Sequence, residues 1–207
     1  MSDMETEILS HDFYTMERWN NWITQVKESG FEFKESEEPQ DKDSAVFINM
    51  EDDIILACLK VVAKFEKNLI SAESAFHLIA QIKDIALAEI EPISDDIDLM
   101  IASMQTSLIG TFAAFECYIR QDFNKKARIP TLLKQALEAE AADSIEISLD
   151  KIAEIGALII NGRKLPDEVM EDIPYGLVAE WMDGIDSIAA AMMGSDSYKN
   201  DEADDDS

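Results

Sequence analysis

Histidine is nearly absent from this chain, with only His11 and His77 among 207 residues. Neither has a glutamate three residues before it, so the Glu-x-x-His pairs of a di-iron bundle are excluded. The two cysteines, Cys58 and Cys117, lie in apolar helical patterns with no histidine near them in sequence. They read as reduced core thiols rather than nucleophiles, disulfide partners or metal ligands. Glycine is scarce, seven residues set mainly at helix ends, and neither a Gly-rich phosphate loop nor a Gly-x-Ser-x-Gly elbow occurs. Positive charge is short as well: 17 Lys and Arg stand against 44 Asp and Glu, a net charge of −27. The stretches 28–43 and 195–207 carry −5 each, which leaves about −17 on the helical body. Such a surface repels phosphate backbones. The densest basic cluster, Lys125-Lys126-Ala127-Arg128, reads as a solvated turn, so no nucleic-acid partner is expected. No membrane is expected either: no apolar run approaches the roughly 18 residues of a span. The first residues, MSDMETEILS, lack the basic-then-apolar order of a signal peptide. The expectation is a soluble cytoplasmic protein, with an acidic exterior suited to a salt-rich cytoplasm.

What the chain does have is one very apolar stretch, Ile54 to Phe65, whose only polar members are Lys60 and Lys64. Their spacing puts both on one helical stripe, which Asp53 and Lys67 extend. A strand would also suit a run rich in Ile and Val. Twelve residues without Gly or Pro, behind an Asn49 cap with Asp52 three residues on, favour a helix. A helix apolar nearly all round is buried, so this one, Met50 to Lys67, is expected at the centre with the others packed about it.

The other elements follow from caps and periodicity. Residues 1–13 read as disordered. Tyr14 to Ser29 is a helix with Met16, Trp19, Trp22, Ile23 and Val26 on one face, closed by Gly30. Phe31–Phe33 alternates like a strand and 45–48 is a short apolar run, so a small β-hairpin across the acidic stretch between them competes with a plain loop. Ser71 caps Ala72–Ile90, and Pro92 ends it. Ser94 caps a long helix from Asp95 to about Phe123, with Ile97, Ile101, Met104, Leu108, Phe112 and Phe115 facing inward. Thr131 to about Ala141, then a helix capped by Asp143 and ended by Gly162, a short turn after Leu165-Pro166, and Tyr175 to Met193 complete the set. Val178, Trp181, Ile185, Ile188 and Met192 form a helix-packing seam on the last helix. Residues 194–207 read as an acidic disordered tail. The fold class is all-α: a single-domain bundle of six or seven helices over 14–193, with sub-bundles 14–123 and 130–193 as the alternative.

No catalytic residue stands out. Glu168-Val-Met-Glu171 followed by Glu180-Trp-Met-Asp183 is similar to the paired carboxylates with which all-α nucleotide pyrophosphatases hold Mg²⁺ against a triphosphate. Only eight residues separate the halves, Pro174 and Gly176 fall between them, and Arg163 and Lys164 are the basic residues at hand for phosphates. With 44 acids in the chain, chance pairs of this kind are expected. No cofactor is therefore expected, Mg²⁺ being the alternative. Large side chains at helix positions (Trp19, Trp22, Trp181, Met182, Met192 and Met193) are either core or anchors for a partner.

Several stretches resemble a family of archaeal proteins known from methanogens and halophiles, a domain of unknown function. They are Glu17-Arg-Trp-Asn-Asn-Trp, the run from Ser44 to Cys58, Glu91-Pro-Ile-Ser-Asp-Asp, Leu165-Pro-Asp-Glu-Val-Met, and Pro174 to Ile188. The resemblance covers nearly the whole chain apart from its ends. It implies an archaeal cytoplasmic protein and transfers no catalytic residue. Together these features favour a non-enzymatic helical protein that binds another protein as an adaptor or complex subunit. A Mg²⁺-dependent nucleotide hydrolase and a structural homo-oligomer built on the Val178–Met192 seam are the alternatives.

Overall fold

The structure is a computed structural model, and it describes residues 13–33, 44–171 and 173–201, with side chains described as far as Met193. Seven α-helices occur among the described residues: α1 Met16–Ser29, α2 Ala45–Glu66, α3 Ala72–Ala86, α4 Asp95–Arg120, α5 Ile129–Ala141, α6 Ile145–Ile160 and α7 Leu177–Asp201. A single 3-10 turn, Asp167–Val169, lies between α6 and α7. The fold is all-α. No strand occurs among the described residues: Phe31–Phe33 takes no regular secondary structure, the Phe33 N–H donating to the Asp96 carboxylate at 2.9 Å, and 45–48 forms the first turn of α2. The hairpin expectation gives way because Phe47 is worth more inside, edge-on to Phe31 at 5.3 Å, than on an isolated ladder. The acidic residues 34–43 lie outside the described residues, as do 1–12 with His11.

The chain forms two compact units, Met1–Leu108 and Ile109–Ser207, divided inside α4 rather than in the loop at 122–130. In the first, α2 packs against both α1 and α3. Thr15 caps α1 by accepting the Arg18 N–H at 3.1 Å, and Gly30 ends it in the left-handed region at φ +60°. Ser71 caps α3 in the same way through Ser74. Helix α2 buries Phe47, Met50, Ile54, Ile55, Ala57, Cys58, Val61 and Val62. Full burial of such a side chain stabilises by about 1.5–3 kcal/mol, so this face holds the first unit together. The burial is not all round, however. Leu56 is 43% exposed and Ile48 59%, and Ala63 is exposed beside them.

The second unit is built on α6, whose residues from Ile155 to Ile160 are all buried, with α5 and α7 packed against it. Two glycines allow close approach. A Cβ on Gly110 would come 2.7 Å from Trp181 Cβ, and one on Gly156 would overlap Ala114 Cβ and sit 2.7 Å from Ile185 Cδ1. Asp143, expected to cap α6, instead takes φ +57° and donates its N–H to Glu140 O, closing α5. Ser144 precedes α6 in its place. The N-terminus of α7 is satisfied from another helix: the Glu140 carboxylate on α5 accepts the Val178 N–H at 3.2 Å. The seam residues Val178, Trp181, Ile185 and Ile188 are buried within this unit. The backbone of α7 runs on to Asp201, past the start of the tail read as disordered.

Helix α4 is the one described helix long and apolar enough, by length and composition, to cross a membrane. Half of its most apolar window is buried in the fold, as in any core helix, and its expected inward face from Ile97 to Phe115 is buried throughout.

Candidate functional site

Three consecutive acids, Glu51, Asp52 and Asp53, across the second and third turns of α2 set up the site. Asp53 is consumed on one flank. Arg18 Nε donates to its Oδ2 at 2.7 Å, Arg18 Nη2 pairs with Oδ1, and the Trp22 indole N–H donates to Oδ2 at 2.8 Å. The Asp53 hydrogen bond raises the Arg18 guanidinium above its ordinary range, and the guanidinium stacks 5.5 Å over the Tyr14 ring. Glu51 is consumed on the other flank, where Ser107 Oγ donates to its Oε1 at 2.6 Å. These two anchors fix the rotation of α2 about its axis. Asp52 between them therefore points outward, with no ion pair or hydrogen-bonded partner among the described residues. Partial burial raises its carboxyl above the ordinary value.

The row that Asp52 belongs to is Ile48, Asp52, Leu56 and Lys60, each four residues from the last and so on one ridge of the helix. Asn49 and Ala63 flank it, both exposed, and Leu59 is half-buried at its edge. Lys60 has no ion pair among the described residues. The exposed surface of α2 is thus an apolar line with one acid a turn before Leu56 and one base a turn after it.

The residues expected from the sequence fall elsewhere. Trp19 is 2% exposed and Trp181 3%, and Met182 is fully buried, so these three are core. The Trp181 indole N–H and the Tyr14 hydroxyl are buried without a hydrogen-bond partner among the described residues, and burial pushes the ionisation of Tyr14 far up. Trp22 is half-buried on Asp53, Met192 is half-buried, and Met193 is 67% exposed near the end of α7. Trp19 and Trp22 belong to the first unit and the other four to the second.

Of the carboxylates considered for Mg²⁺, Glu168, Glu171 and Asp183 are exposed and Glu180 is half-buried. Among the described residues no three His, Cys, Asp or Glu side chains are gathered as a metal site. Asp183 is raised by partial burial first, then by repulsion from Asp186 and Glu180. His77 is exposed on α3. Both thiols are free: Cys58 is buried and its ionisation strongly raised, and Cys117 is pushed up to about 11 by burial and then by Glu154, Asp122 and Asp150. Neither is a reactive thiolate at neutral pH. An open pocket of about 310 Å³ beside Phe13, Tyr14, Leu78 and Ile82 has, among the described residues, Asp84 as its one charged group.

The Asp52–Leu56–Lys60 row was not singled out from the sequence, although its signal was present. An apolar residue four positions from a charged one on both sides shares their wet face, and Leu56 is such a residue.

The family model described as "Uncharacterized protein conserved in archaea (DUF2150)" matches residues 12–201. No curated protein and no solved structure matches the chain.

Proposed function

We propose a protein-binding role for this chain, which belongs to the DUF2150 family of proteins conserved in archaea. The observation that carries the reading is the outward ridge of α2, where Ile48 and Leu56 stand exposed on a helix fixed in rotation by Asp53 and Glu51. In a chain of net charge −27, exposed branched aliphatics held on a rigid helix suit an amphipathic protein surface better than a small molecule. The chemistry needed for turnover has less behind it. The thiols are held protonated, and the paired carboxylates keep only their sequence spacing in favour of a Mg²⁺-dependent hydrolase. An adaptor or complex subunit in an archaeal cytoplasm fits this surface.

The test uses immobilised full-length chain and archaeal extract at native salt, with Leu56→Asp as the control. A protein retained by the wild type and lost on Leu56→Asp supports the role. If every retained protein binds both chains alike, this face is not the contact and the reading fails.

A further inference from the structure

The ridge on α2 is self-complementary, and from this we infer that its occupant is a second copy of the same chain. The inference rests on the protein-binding reading and names the partner. A two-fold axis through Leu56, set across the helix, runs the two α2 helices antiparallel. Each residue before Leu56 then meets the residue equally far after it on the other copy. Leu56 meets Leu56, and Asp52 meets Lys60 twice over, once in each direction. Ile48 comes against the aliphatic stem of Lys64. The row runs at i, i+4, i+8, and ridges of this spacing on two helices interdigitate when the helices cross at about −50°. At about 1.5 Å per residue Asp52 and Lys60 lie roughly 6 Å on either side of Leu56, so they cannot pair within one helix and both remain near such a crossing.

Three observations single out the second copy from other partners. Lysines are scarce, 17 basic residues against 44 acids, yet Lys60 takes none of the chain's described carboxylates. Asp52 is partly desolvated while its neighbours Glu51 and Asp53 are both engaged within the chain. These two charges, unpaired among the described residues, are also opposite in sign and equidistant from an exposed leucine, so a two-fold operator pairs both. An arbitrary acidic or basic peptide would satisfy one of them and repel the other.

Net charge works against association, since each copy carries −27. Salt relieves this: the screening length falls from about 10 Å at 0.1 M to about 3 Å at 1 M. The dimer therefore tightens with salt, although its own ion pairs weaken. A face about three turns long lies at the small end of specific interfaces, so the expected Kd is on the order of 10–100 µM.

The experiment is sedimentation equilibrium of the full chain from about 10 µM to about 1 mM in 0.1 M and 1 M KCl. The wild type dimerises, more strongly in 1 M KCl, and Leu56→Asp abolishes this by placing two carboxylates on the axis. Asp52→Lys alone sets lysine against lysine and Lys60→Asp alone sets acid against acid, so each is monomeric. Mixed one to one, they form a heterodimer. The lysine introduced in one chain then meets the aspartate introduced in the other, and the native Lys60 of the first meets the native Asp52 of the second. Circular dichroism confirms that the variants fold, and the wild-type and Leu56→Asp data stand without them. A wild type monomeric to 1 mM in both salts overturns the proposal, as does a mixture of folded single variants that stays monomeric. If the wild type is monomeric while Leu56→Asp still loses a partner from extract, the face survives and only its occupant is refuted.

Discussion

Replacing Gly156 with alanine tests the packing of the second unit by the sign of its effect. On an open helix surface the change stabilises by about 1 kcal/mol, because alanine is the better helix former. Here the new methyl overlaps Ala114 Cβ and lies 2.7 Å from Ile185 Cδ1. The isoleucine tip can turn aside, but Ala114 has no rotamer to change, so α4 and α6 must separate. Overpacking of this kind costs about 1–3 kcal/mol on the measured scale and more where no side chain can yield. The net expectation for Gly156→Ala is a loss of about 1–2 kcal/mol, which for a chain of this length lowers Tm by roughly 2–8 °C. Ala114→Gly alone costs about 1 kcal/mol through helix propensity. The double variant Gly156→Ala with Ala114→Gly carries the methyl across the contact and returns to within about 0.5 kcal/mol of wild type, a favourable coupling of more than about 1 kcal/mol. Urea and thermal unfolding followed by circular dichroism read all four proteins. A Gly156→Ala chain as stable as the wild type, or a double variant equal to the sum of its parts, refutes the close approach.

Further perturbations address other contacts. Asp53→Ala strips Arg18 and the Trp22 indole of their acceptor and should cost about 1.5–3 kcal/mol, with a shift in Trp22 emission; unchanged stability would mean the cluster contributes nothing. Gly176→Ala drives a Cβ to 2.7 Å from the Glu140 carboxylate that caps α7, and a loss of about 1 kcal/mol is expected, matched by Glu140→Ala and not additive with it. Cys117, raised to about 11 in the folded chain from an ordinary 9.0, should resist alkylation at pH 8. Its folded value lies above the unfolded one, so its contribution to stability is complete below pH 9 and is lost as pH rises toward 11; urea midpoints at pH 8, 9.5 and 10.5 should fall in that order in the wild type and less in Cys117→Ser. Asp183 is also raised, so folding favours its protonated form, and that contribution is present in acid and lost toward neutral pH; Asp183→Asn should lift Tm slightly at pH 7 and not at pH 3.

The sequence was a good guide wherever one physical signal acted alone. The cap at Ser71, the glycine at Gly30 and the buried face of α4 were all readable from residue type and a 3.6-residue period, whereas the Thr15 cap lies inside the stretch read as helix from Tyr14. It was a poorer guide where two signals competed. The apolar residues 45–48 suit a strand by composition, yet they form the first turn of α2 because Phe47 finds Phe31 there. Asp143 looks like a cap by type, but the tight connection needs a left-handed residue, a role Asp tolerates. The exposed ridge on α2 was hidden by the overall hydrophobicity of its helix. Its outward direction depends on what Arg18, Trp22 and Ser107 do to the neighbouring acids, contacts 31 to 56 residues apart in the chain.

The placement of the three tryptophans gives the protein a built-in thermometer for each half. Trp181 is sunk in the second unit, while Trp19 and Trp22 belong to the first. Chains keeping Trp181 alone, or Trp19 alone, would each shift toward red emission only when their own half lets water in. Whether the halves melt at one temperature or at two then becomes a matter of comparing the colour of two light signals.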